Sequence, residues 1–270
     1  MISKELQELI SSANDAVSNM LSSTANSSDP KLVKKSKLLA YWLRDYMRLL
    51  KKEETFLPTK LKRYKRGDII QLHLGFNLGS EEGGLHYAVV ISTYNSNSSD
   101  TLTIIPLSSK KSNYKPSPYT LDLGNVLYDQ LSIKYQNLQN DIQQKISTYT
   151  IQKNDLEAVF FEKTKELQSL PEDEGLEKLP ELSMTLLQLD SVNKELSKLT
   201  DSLNTIKKMQ SEVLHLKHGS IALVSQITTI SKIRIYNPLN KQDLLSSIKL
   251  TPDHMDMIDK KVVELYTHTK

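Results

Sequence analysis

The sequence lacks cysteine altogether, which excludes disulfide bonds, thiol nucleophiles and thiolate metal sites. One tryptophan, four phenylalanines and eight glycines in 270 residues are too few for an all-β protein of this length. No apolar run approaches the roughly 20 residues that a membrane span needs, and the longest is Leu38 to Leu43. The first residues include acidic side chains and do not resemble a secretory signal. We therefore expect a soluble, cytoplasmic protein with no membrane partner.

The positive charge of the chain is concentrated rather than large. A net charge of +3 for the whole chain is compatible with almost any partner. Residues 60–124 carry eight lysines and arginines against five acidic residues, so this stretch alone has a surplus equal to that of the chain. These basic residues cluster at 60–66 (KLKRYKR) and at 110–115 (KKSNYK). The two clusters bear more on the choice of partner than the net value does.

Two amphipathic helices are predicted near the N-terminus. Apolar residues recur at spacings of three and four between residues 2 and 21, which gives one apolar face. A polar stretch follows, and Asp29-Pro30 marks the start of a second helix that should run to Glu53. We assign residues 1–58 to a helical N-terminal extension.

Short β-rich runs occur on both sides of a long helical region. Four of them lie between Gly67 and Gly124, and a further run, GSIALVSQITTISKIRI, occupies residues 219–235. A C-terminal helix should start at Thr251, with Thr251 as its N-cap and Pro252 at its first position. Separate strand fragments would leave exposed edges. Residues 59–125 and 218–270 are therefore expected to form one domain.

The intervening residues 126–217 have the pattern of two long helices. Apolar residues are spaced close to a heptad repeat in each, and a Pro/Gly-containing interruption runs from Ser169 to Glu181. This pattern predicts an antiparallel coiled-coil hairpin, inserted into the β domain.

Four ordered sequence blocks resemble the MazF/PemK family of toxins. Residues 66–70 (RGDII) look like the family's opening strand, and residues 79–92 (GSEEGGLHYAVVIS) are similar to its G-S-E-x-G-G-x-[RH]-P-x-V-V-I hallmark. Residues 104–109 (IIPLSS) and 222–235 (ALVSQITTISKIRI) resemble two later strands. The resemblance implies an α+β fold: a small SH3-like barrel of the CcdB/MazF type with a C-terminal helix, here interrupted by the helical hairpin and preceded by two helices.

The resemblance also implies a function. It indicates the toxin of a type II toxin-antitoxin system, a sequence-specific endoribonuclease that cleaves single-stranded RNA such as mRNA and leaves a cyclic phosphate. RNA supplies its own 2'-OH nucleophile, so the enzyme needs a base, an acid and a donor to the phosphorane. No metal or cofactor is expected. The implied partners are RNA, a cognate antitoxin and a second copy of the chain in a homodimer.

The matching blocks assign candidate catalytic residues. His86 stands where the family usually has an arginine that contacts the scissile phosphate, and an imidazole can also transfer protons near neutral pH. Ser108 stands where the family has a Thr or Ser that donates to that phosphate, and Ser109 is its alternative. The supporting residues are expected to be Ser80, Glu81 and Gln226.

A second group of residues is expected to bind the RNA on either side of the cleavage site. Cations can hold flanking phosphates, while Tyr114 or Tyr119 stacks on a base. The candidate residues are Arg66, Lys110, Lys111, Tyr114 and Lys115. The alternative for the lysines is ordinary solvated surface charge.

Two other functions stay open at this point. Because His86 replaces the family arginine, the domain could be a non-catalytic RNA- or protein-binding regulatory module with the hairpin as its working surface. Alternatively, the N-terminal helices or the hairpin could cover the RNA groove as a built-in restraint. Removing such a restraint should raise cleavage.

Overall fold

The computed structural model describes residues 3–216 and 218–268. Contacts divide the chain into two compact units, one formed by Met1–Gly124 with His218–Lys270 and the other by Asn125–Lys217. We call them the sheet unit and the helical hairpin. The two N-terminal helices belong to the sheet unit.

The N-terminal helices are α1 (Lys4–Ala25) and α2 (Pro30–Glu53). The Ser3 side chain accepts a hydrogen bond from Leu6 N, and Asp29 accepts one from Lys31 N, so each helix begins at a side-chain N-cap. The bounds of α2 confirm the prediction from the Asp29-Pro30 signal. Ser36 of α2 is buried and donates to Leu21 O of α1 at 2.9 Å, which links the two helices.

Seven strands form one antiparallel sheet, in the order β4-β5-β3-β2-β1-β7, with β6 also paired to β3. Their bounds are β1 Ile69–His73, β2 Leu85–Val90, β3 Thr101–Ser109, β4 Leu121–Asp122, β5 Ser220–Ala222, β6 Thr228–Ser231 and β7 Ile235–Asn237. Within residues 3–216 and 218–268, the terminal strands β4 and β7 do not pair with each other. The predicted α+β class is confirmed, whereas closure into an SH3-like barrel stays a prediction.

Strands β1, β2 and β3 are buried on both faces over part of their length, at residues 69–70, 88–90 and 104–107, whereas residues 85–87 of β2 and 108–109 of β3 are exposed or half-buried. Alternate residues of these strands pack into one core cluster, whose members are Tyr64, Ile70, Leu72, Leu74, Ala88, Val90, Leu102, Ile104, Ile230 and Ile235. The buried Tyr64 hydroxyl donates to Pro238 O at 2.7 Å. Helix α5 (Pro252–Tyr266) begins at the predicted Thr251 cap and buries Met255 and Ile258.

The β-rich run at residues 219–235 forms three short strands, so the block at residues 222–235 that resembles one late strand of the family is not a single strand here. Two short 3-10 turns, Val224–Gln226 and Lys232–Arg234, separate β5, β6 and β7. Strand β5 pairs with the end of β3 and β6 with its beginning, and the register shifts by three residues between them. The residues of the first turn therefore lie outside the ladder. This shift frees Gln226 to contact a loop.

The helical hairpin consists of α3 (Val126–Ser169) and α4 (Glu172–Val213). The predicted interruption from Ser169 to Glu181 was too long, because only residues 170 and 171 separate the helices. Pro180 lies inside α4, where its missing N–H costs one helical hydrogen bond. Ion pairs Lys163–Glu181 and Glu166–Lys178 join the helices near the turn. No helix in the described residues is both long enough and apolar enough to cross a bilayer.

Candidate functional site

His86 and Ser108 lie on neighbouring antiparallel strands. Tyr87 of β2 pairs with Leu107 of β3, so the same register places His86 opposite Ser108. Directly opposed side chains in an antiparallel pair share one face and approach within about 5 Å at Cβ. The Nδ1 atom of His86 lies 3.4 Å from Leu107 O. The sheet thus brings together the two residues that the sequence nominated for catalysis.

Ser109 occupies the other face of β3. It follows Ser108 directly in the strand and pairs with Ser220 of β5. Because successive side chains of a strand alternate between faces, Ser109 does not share the face of His86. Ser108 is therefore the better placed of the two candidate hydroxyls.

The Glu82 carboxylate holds the His86 ring. Its Oε1 atom lies 2.9 Å from His86 Nε2, and the two side chains are 25% and 27% exposed. When Nε2 donates this hydrogen bond, Nδ1 is left on the side of β3. In this tautomer Nδ1 carries no hydrogen, and its lone pair faces Leu107 O at 3.4 Å without a hydrogen bond, so Nδ1 is available to a donor from a ligand.

Gln226 fixes the loop that carries Glu82. Its Oε1 atom accepts from Glu82 N at 2.6 Å, and its Nε2 atom donates to Ser80 O at 3.2 Å. Both backbone groups belong to the segment between β1 and β2. Because the register shift between β5 and β6 leaves Gln226 outside the ladder, its side chain can form these two hydrogen bonds and so position Glu82.

The same loop folds back on itself through its glycines. Leu74 N donates to Gly84 O at 2.8 Å and Gly84 N to Gly75 O at 2.7 Å. A Cβ atom at Gly83 would lie 2.9 Å from Gly75 O, closer than backbone can accept. Asn77 Nδ2 also donates to Glu82 O at 2.7 Å. Only a glycine at position 83 permits this approach of the two arms of the loop.

A groove of about 600 Å³ lies beside these residues. One wall is the loop with Asn77, Glu81 and Glu82, and the other is formed by residues 225–231 and Arg234. Glu82 therefore both contacts His86 and lines the groove. Oxygen and amide groups dominate the walls, which suits a polar ligand.

Helix α2 borders one end of this groove through Trp42. The Trp42 ring stacks on His73 with 4.4 Å between centroids, and Arg234 lies over Trp42 at 5.6 Å. Arg234 also donates to Leu74 O at 3.0 Å. Burial lowers the pKa of His73, the charges of Arg234 and His86 add to this effect, and Asp45 opposes it. His73 is thus held as a neutral ring, and its Nδ1 accepts from Gly75 N at 3.1 Å.

Residues 65–173 match the model of a known family, described as PemK-like, MazF-like toxin of type II toxin-antitoxin system. Over that stretch the chain is similar to this family. The match includes β1 to β4, His86 and Ser108, and it ends near the start of α4. Gln226 and the helices α1 and α2 lie outside it. No curated protein matches the chain.

Among the residues of this PemK-like segment, Arg66 lies at the end of β1 away from His86. Gly67 N donates to Val90 O at 2.8 Å, whereas His86 pairs with Leu72 at the other end of the strand. The Arg66 guanidinium donates to Ile91 O and forms an ion pair with Asp259 of α5. Its observed partners indicate a structural role for Arg66, and its predicted contact with RNA stays a prediction.

Lys110 and Tyr114 lie just beyond the end of β3 that carries Ser108. Lys110 forms an ion pair with Asp122 of β4, and its Nζ lies 5.5 Å from the centre of the Tyr114 ring. The Tyr114 hydroxyl and Thr120 Oγ1 are 3.0 Å apart. Lys111 and Lys115 are exposed in the same turn. These four residues therefore lie near the end of β3 that is adjacent to His86.

Sequence reasoning missed several residues of this PemK-like site. It chose Glu81, whose carboxylate accepts from Leu78 N at 3.4 Å, whereas the neighbouring Glu82 contacts His86. A signal was present in the two glycines that follow Glu82, because they fold the loop back onto β2. Trp42, His73 and Arg234 were also missed. They come together only through packing of α2 on the sheet, which no local motif predicts.

Proposed function

We propose that the chain is a toxin endoribonuclease that cleaves single-stranded RNA without a metal, using His86 and Ser108. The observation that carries the proposal is the cross-strand placement of these two side chains, with the Glu82 carboxylate 2.9 Å from His86 Nε2. An imidazole held by a carboxylate, beside a hydroxyl, is a constellation suited to proton transfer.

His86 moves the proton in the proposed reaction. Glu82 accepts from Nε2–H and so keeps Nδ1 available as a base. Nδ1 takes the proton of the RNA 2'-OH as the 2'-oxygen bonds to phosphorus, and the imidazolium returns it to the 5'-oxygen as the P–O5' bond breaks. The products are a 2',3'-cyclic phosphate and a 5'-hydroxyl. Glu82 stabilises the imidazolium between the two transfers.

Ser108 donates a hydrogen bond to a non-bridging phosphate oxygen in this scheme. Charge on those oxygens increases as phosphorus becomes five-coordinate, so a fixed donor lowers the barrier. We assign Lys110 and Tyr114, which lie just beyond the end of β3, to the flanking nucleotide, and the 5.5 Å distance between the Lys110 Nζ and the centre of the Tyr114 ring supports this pairing of a cation with an aromatic ring. The polar groove beside Glu82 would bind the RNA nucleotides on the other side of the cleavage site.

The family supports two further parts of the proposal. A type II toxin acts with a cognate antitoxin, so we propose an antitoxin as the protein partner of the chain, and a homodimer formed through the sheet unit closed as an SH3-like barrel. Since the proposed substrate is mRNA, we propose that the protein acts in the cytoplasm. We propose no catalytic role for the helical hairpin, although its first helix lies within the matched residues.

The direct test uses purified full chain and a mixed RNA in EDTA, beside His86→Ala and Ser108→Ala variants. New 5' ends are mapped, and their chemistry is read from labelling of 5'-hydroxyl groups and from cyclic phosphate at the 3' ends. Site-specific cleavage that is lost in both variants is expected. Cleavage that needs added metal, or that survives both substitutions, would exclude this mechanism. RNA that is bound but stays intact would instead favour the non-catalytic binding module.

A further inference from the structure

Helix α2 carries a stripe of exposed basic side chains with one tyrosine among them. From Pro30 to Glu53 the helix has eight lysines and arginines against two acidic residues, a surplus of six in a chain of net charge +3. Residues three or four apart share one helical face. The members of the stripe are Lys34, Lys37, Tyr41, Arg44, Arg48 and Lys51, and all are exposed. We call this set the α2 stripe.

Tyr41 lies between two cations of the α2 stripe. Lys37 Nζ is 6.0 Å and the Arg44 guanidinium carbon 5.1 Å from the centre of its ring, and 47% of the tyrosine surface is exposed. Asp45 accepts from Arg44 and Arg48 at 3.3 and 3.2 Å, which orients both guanidinium groups. Cations that alternate with an aromatic ring form the arrangement that binds single-stranded nucleic acid.

The α2 stripe is next to the groove beside Glu82. Trp42 directly follows Tyr41 in the helix and packs on His73, while Arg234 of the groove wall lies over Trp42. From Lys34 to Lys51 the stripe is about 26 Å long at 1.5 Å rise per residue. A single-stranded RNA that leaves the groove at Arg234 would therefore meet an extended basic surface within the same unit.

We propose that the α2 stripe binds the single-stranded RNA that flanks the cleavage site, with its cations on phosphates and Tyr41 stacked on a base. The choice of RNA as ligand rests on the proposed function. The surface itself lies outside the family match at 65–173, so it is a binding site that this chain adds to the toxin segment. Its charge is complementary to a polyphosphate backbone.

The position of α2 favours RNA over a membrane surface as the ligand. A helix that lies in a bilayer interface uses a free apolar face opposite its charges, and α2 does have exposed apolar residues, namely Leu32, Val33, Leu38, Met47 and Leu50. Trp42, however, packs on His73 of the sheet and lies under Arg234 of the groove wall, and Ser36 donates to Leu21 O of α1. These contacts fix the basic stripe near the groove that the proposed function assigns to RNA.

The test measures binding separately from cleavage. Fluorescence anisotropy in EDTA would follow an unstructured, labelled RNA bound to the full chain carrying His86→Ala, at several salt concentrations. A charge-removed variant replaces the five cations of the α2 stripe by glutamine, and a milder one replaces only Lys34, Lys37 and Lys51, which leaves the Asp45 pairs intact. The matched control removes five charges from the helical hairpin, with glutamine at Lys145, Lys153, Lys194, Lys198 and Lys207. Circular dichroism checks that each variant folds.

Removing the five cations should weaken binding about tenfold or more and reduce the slope of log K against log salt by about 3, since each phosphate contact on a single strand contributes about 0.7. The milder variant, which removes three cations, should reduce the slope by about 2, and the hairpin control should reduce it by less than about 1. Tyr41→Leu should weaken binding about fivefold without changing the slope, because stacking is not ionic.

Three results would overturn the proposal. The first is an RNA affinity and slope in the stripe variants equal to those of the hairpin control. The second comes from a parallel sedimentation assay of the same variants with anionic-lipid vesicles: substitutions that abolish vesicle binding while RNA binding is retained would assign the stripe to membranes. The third is tighter binding after the substitutions, which would make α2 a restraint over the groove. Since every arm uses a cleavage-deficient chain, failure of the ribonuclease proposal leaves the binding result interpretable.

Discussion

Glu82 N donates a hydrogen bond to Gln226 Oε1 at 2.6 Å, which ties the loop before β2 to the 3-10 turn between β5 and β6. The two residues are 144 positions apart, and the helical hairpin lies between them in the sequence. The carboxylate that contacts His86 is therefore positioned by a part of the chain that follows the insertion. The sheet unit must assemble from both segments before the site is complete.

Replacing Gln226 should loosen this loop. In Gln226→Ala, Glu82 N loses its acceptor and Ser80 O its donor, so the free energy of unfolding should fall by about 1 to 2 kcal/mol. RNA cleavage should fall about tenfold, because a misplacement of Glu82 by about 1 Å also misplaces His86. Urea unfolding and initial cleavage rates measure the two effects. Gln242→Ala, at an exposed glutamine in another loop, is the control and should change neither quantity.

Glu82→Gln and Glu81→Gln form a matched pair of substitutions in adjacent residues. A glutamine at 82 can still accept from His86 Nε2 but cannot stabilise an imidazolium, so kcat should fall about 10- to 100-fold with KM nearly unchanged. The same change at 81 leaves an oxygen that can accept from Leu78 N and should alter kcat less than about threefold. Steady-state cleavage of a short RNA gives kcat and KM for both variants, so the two losses can be compared. Equal losses in both variants would contradict a specific role for Glu82.

His73 should make the stability of the sheet unit depend on pH. Burial lowers its pKa below the ordinary value of 6.5, with Arg234 and His86 adding to the effect. The unfolded chain therefore takes up this proton at a higher pH than the folded chain does. The contribution of the neutral His73 ring to the free energy of unfolding is fully present above about pH 6.5 and is lost as the pH falls through the pKa of His73 in the folded chain.

The single tryptophan, Trp42, stacks on His73 and so reports on this site directly. Urea unfolding followed by Trp42 fluorescence between pH 5 and 7.5 should show a decreasing free energy of unfolding toward acid. His73→Asn should reduce that decrease, whereas His218→Asn, at an exposed histidine, should leave it unchanged. If the free energy of unfolding had the same pH dependence in the unsubstituted chain and in both variants, His73 would have the same pKa in the folded and unfolded states, and the prediction would be wrong.

Local signals in the sequence were sufficient for some elements. The Asp29-Pro30 start defined α2, and the β-rich blocks that contain His86 and Ser108 correspond to β2 and β3. A cap or an alternating apolar pattern is a property of a few neighbouring residues, so a sequence shows it directly.

Other features depend on residues that are distant in the sequence. Choosing Glu82 over Glu81 requires the path of the Gly83-Gly84 turn, and that path is fixed by Gly75 and Gln226. The break in the 219–235 run follows from the two registers that β5 and β6 take on β3. Neither register is visible in the run itself, because Val, Ile and Thr, which favour strands, recur along its whole length. The contact of Trp42 with His73 likewise needs the packed position of α2.

The helical hairpin should be removable without loss of the sheet unit. The chain leaves the sheet at Gly124 and returns at Ser220, and these residues are already joined, because Ser220 N donates to Gly124 O at 2.8 Å. A short Gly/Ser linker in place of residues 126–217 closes the same gap at a lower entropic cost than a long connection. We expect a cooperative urea transition and intact strand signals in circular dichroism.

Cleavage by the shortened chain then tests the restraint hypothesis. A rise of about tenfold relative to the full chain, abolished by His86→Ala, would show that the hairpin limits access to RNA. An unchanged rate would assign the hairpin to another task, such as contact with the antitoxin. A shortened chain that fails to fold would contradict the prediction that β4 and β5 hold the two segments together. In that case the hairpin is required for assembly of the sheet, and the site depends on it through Gln226.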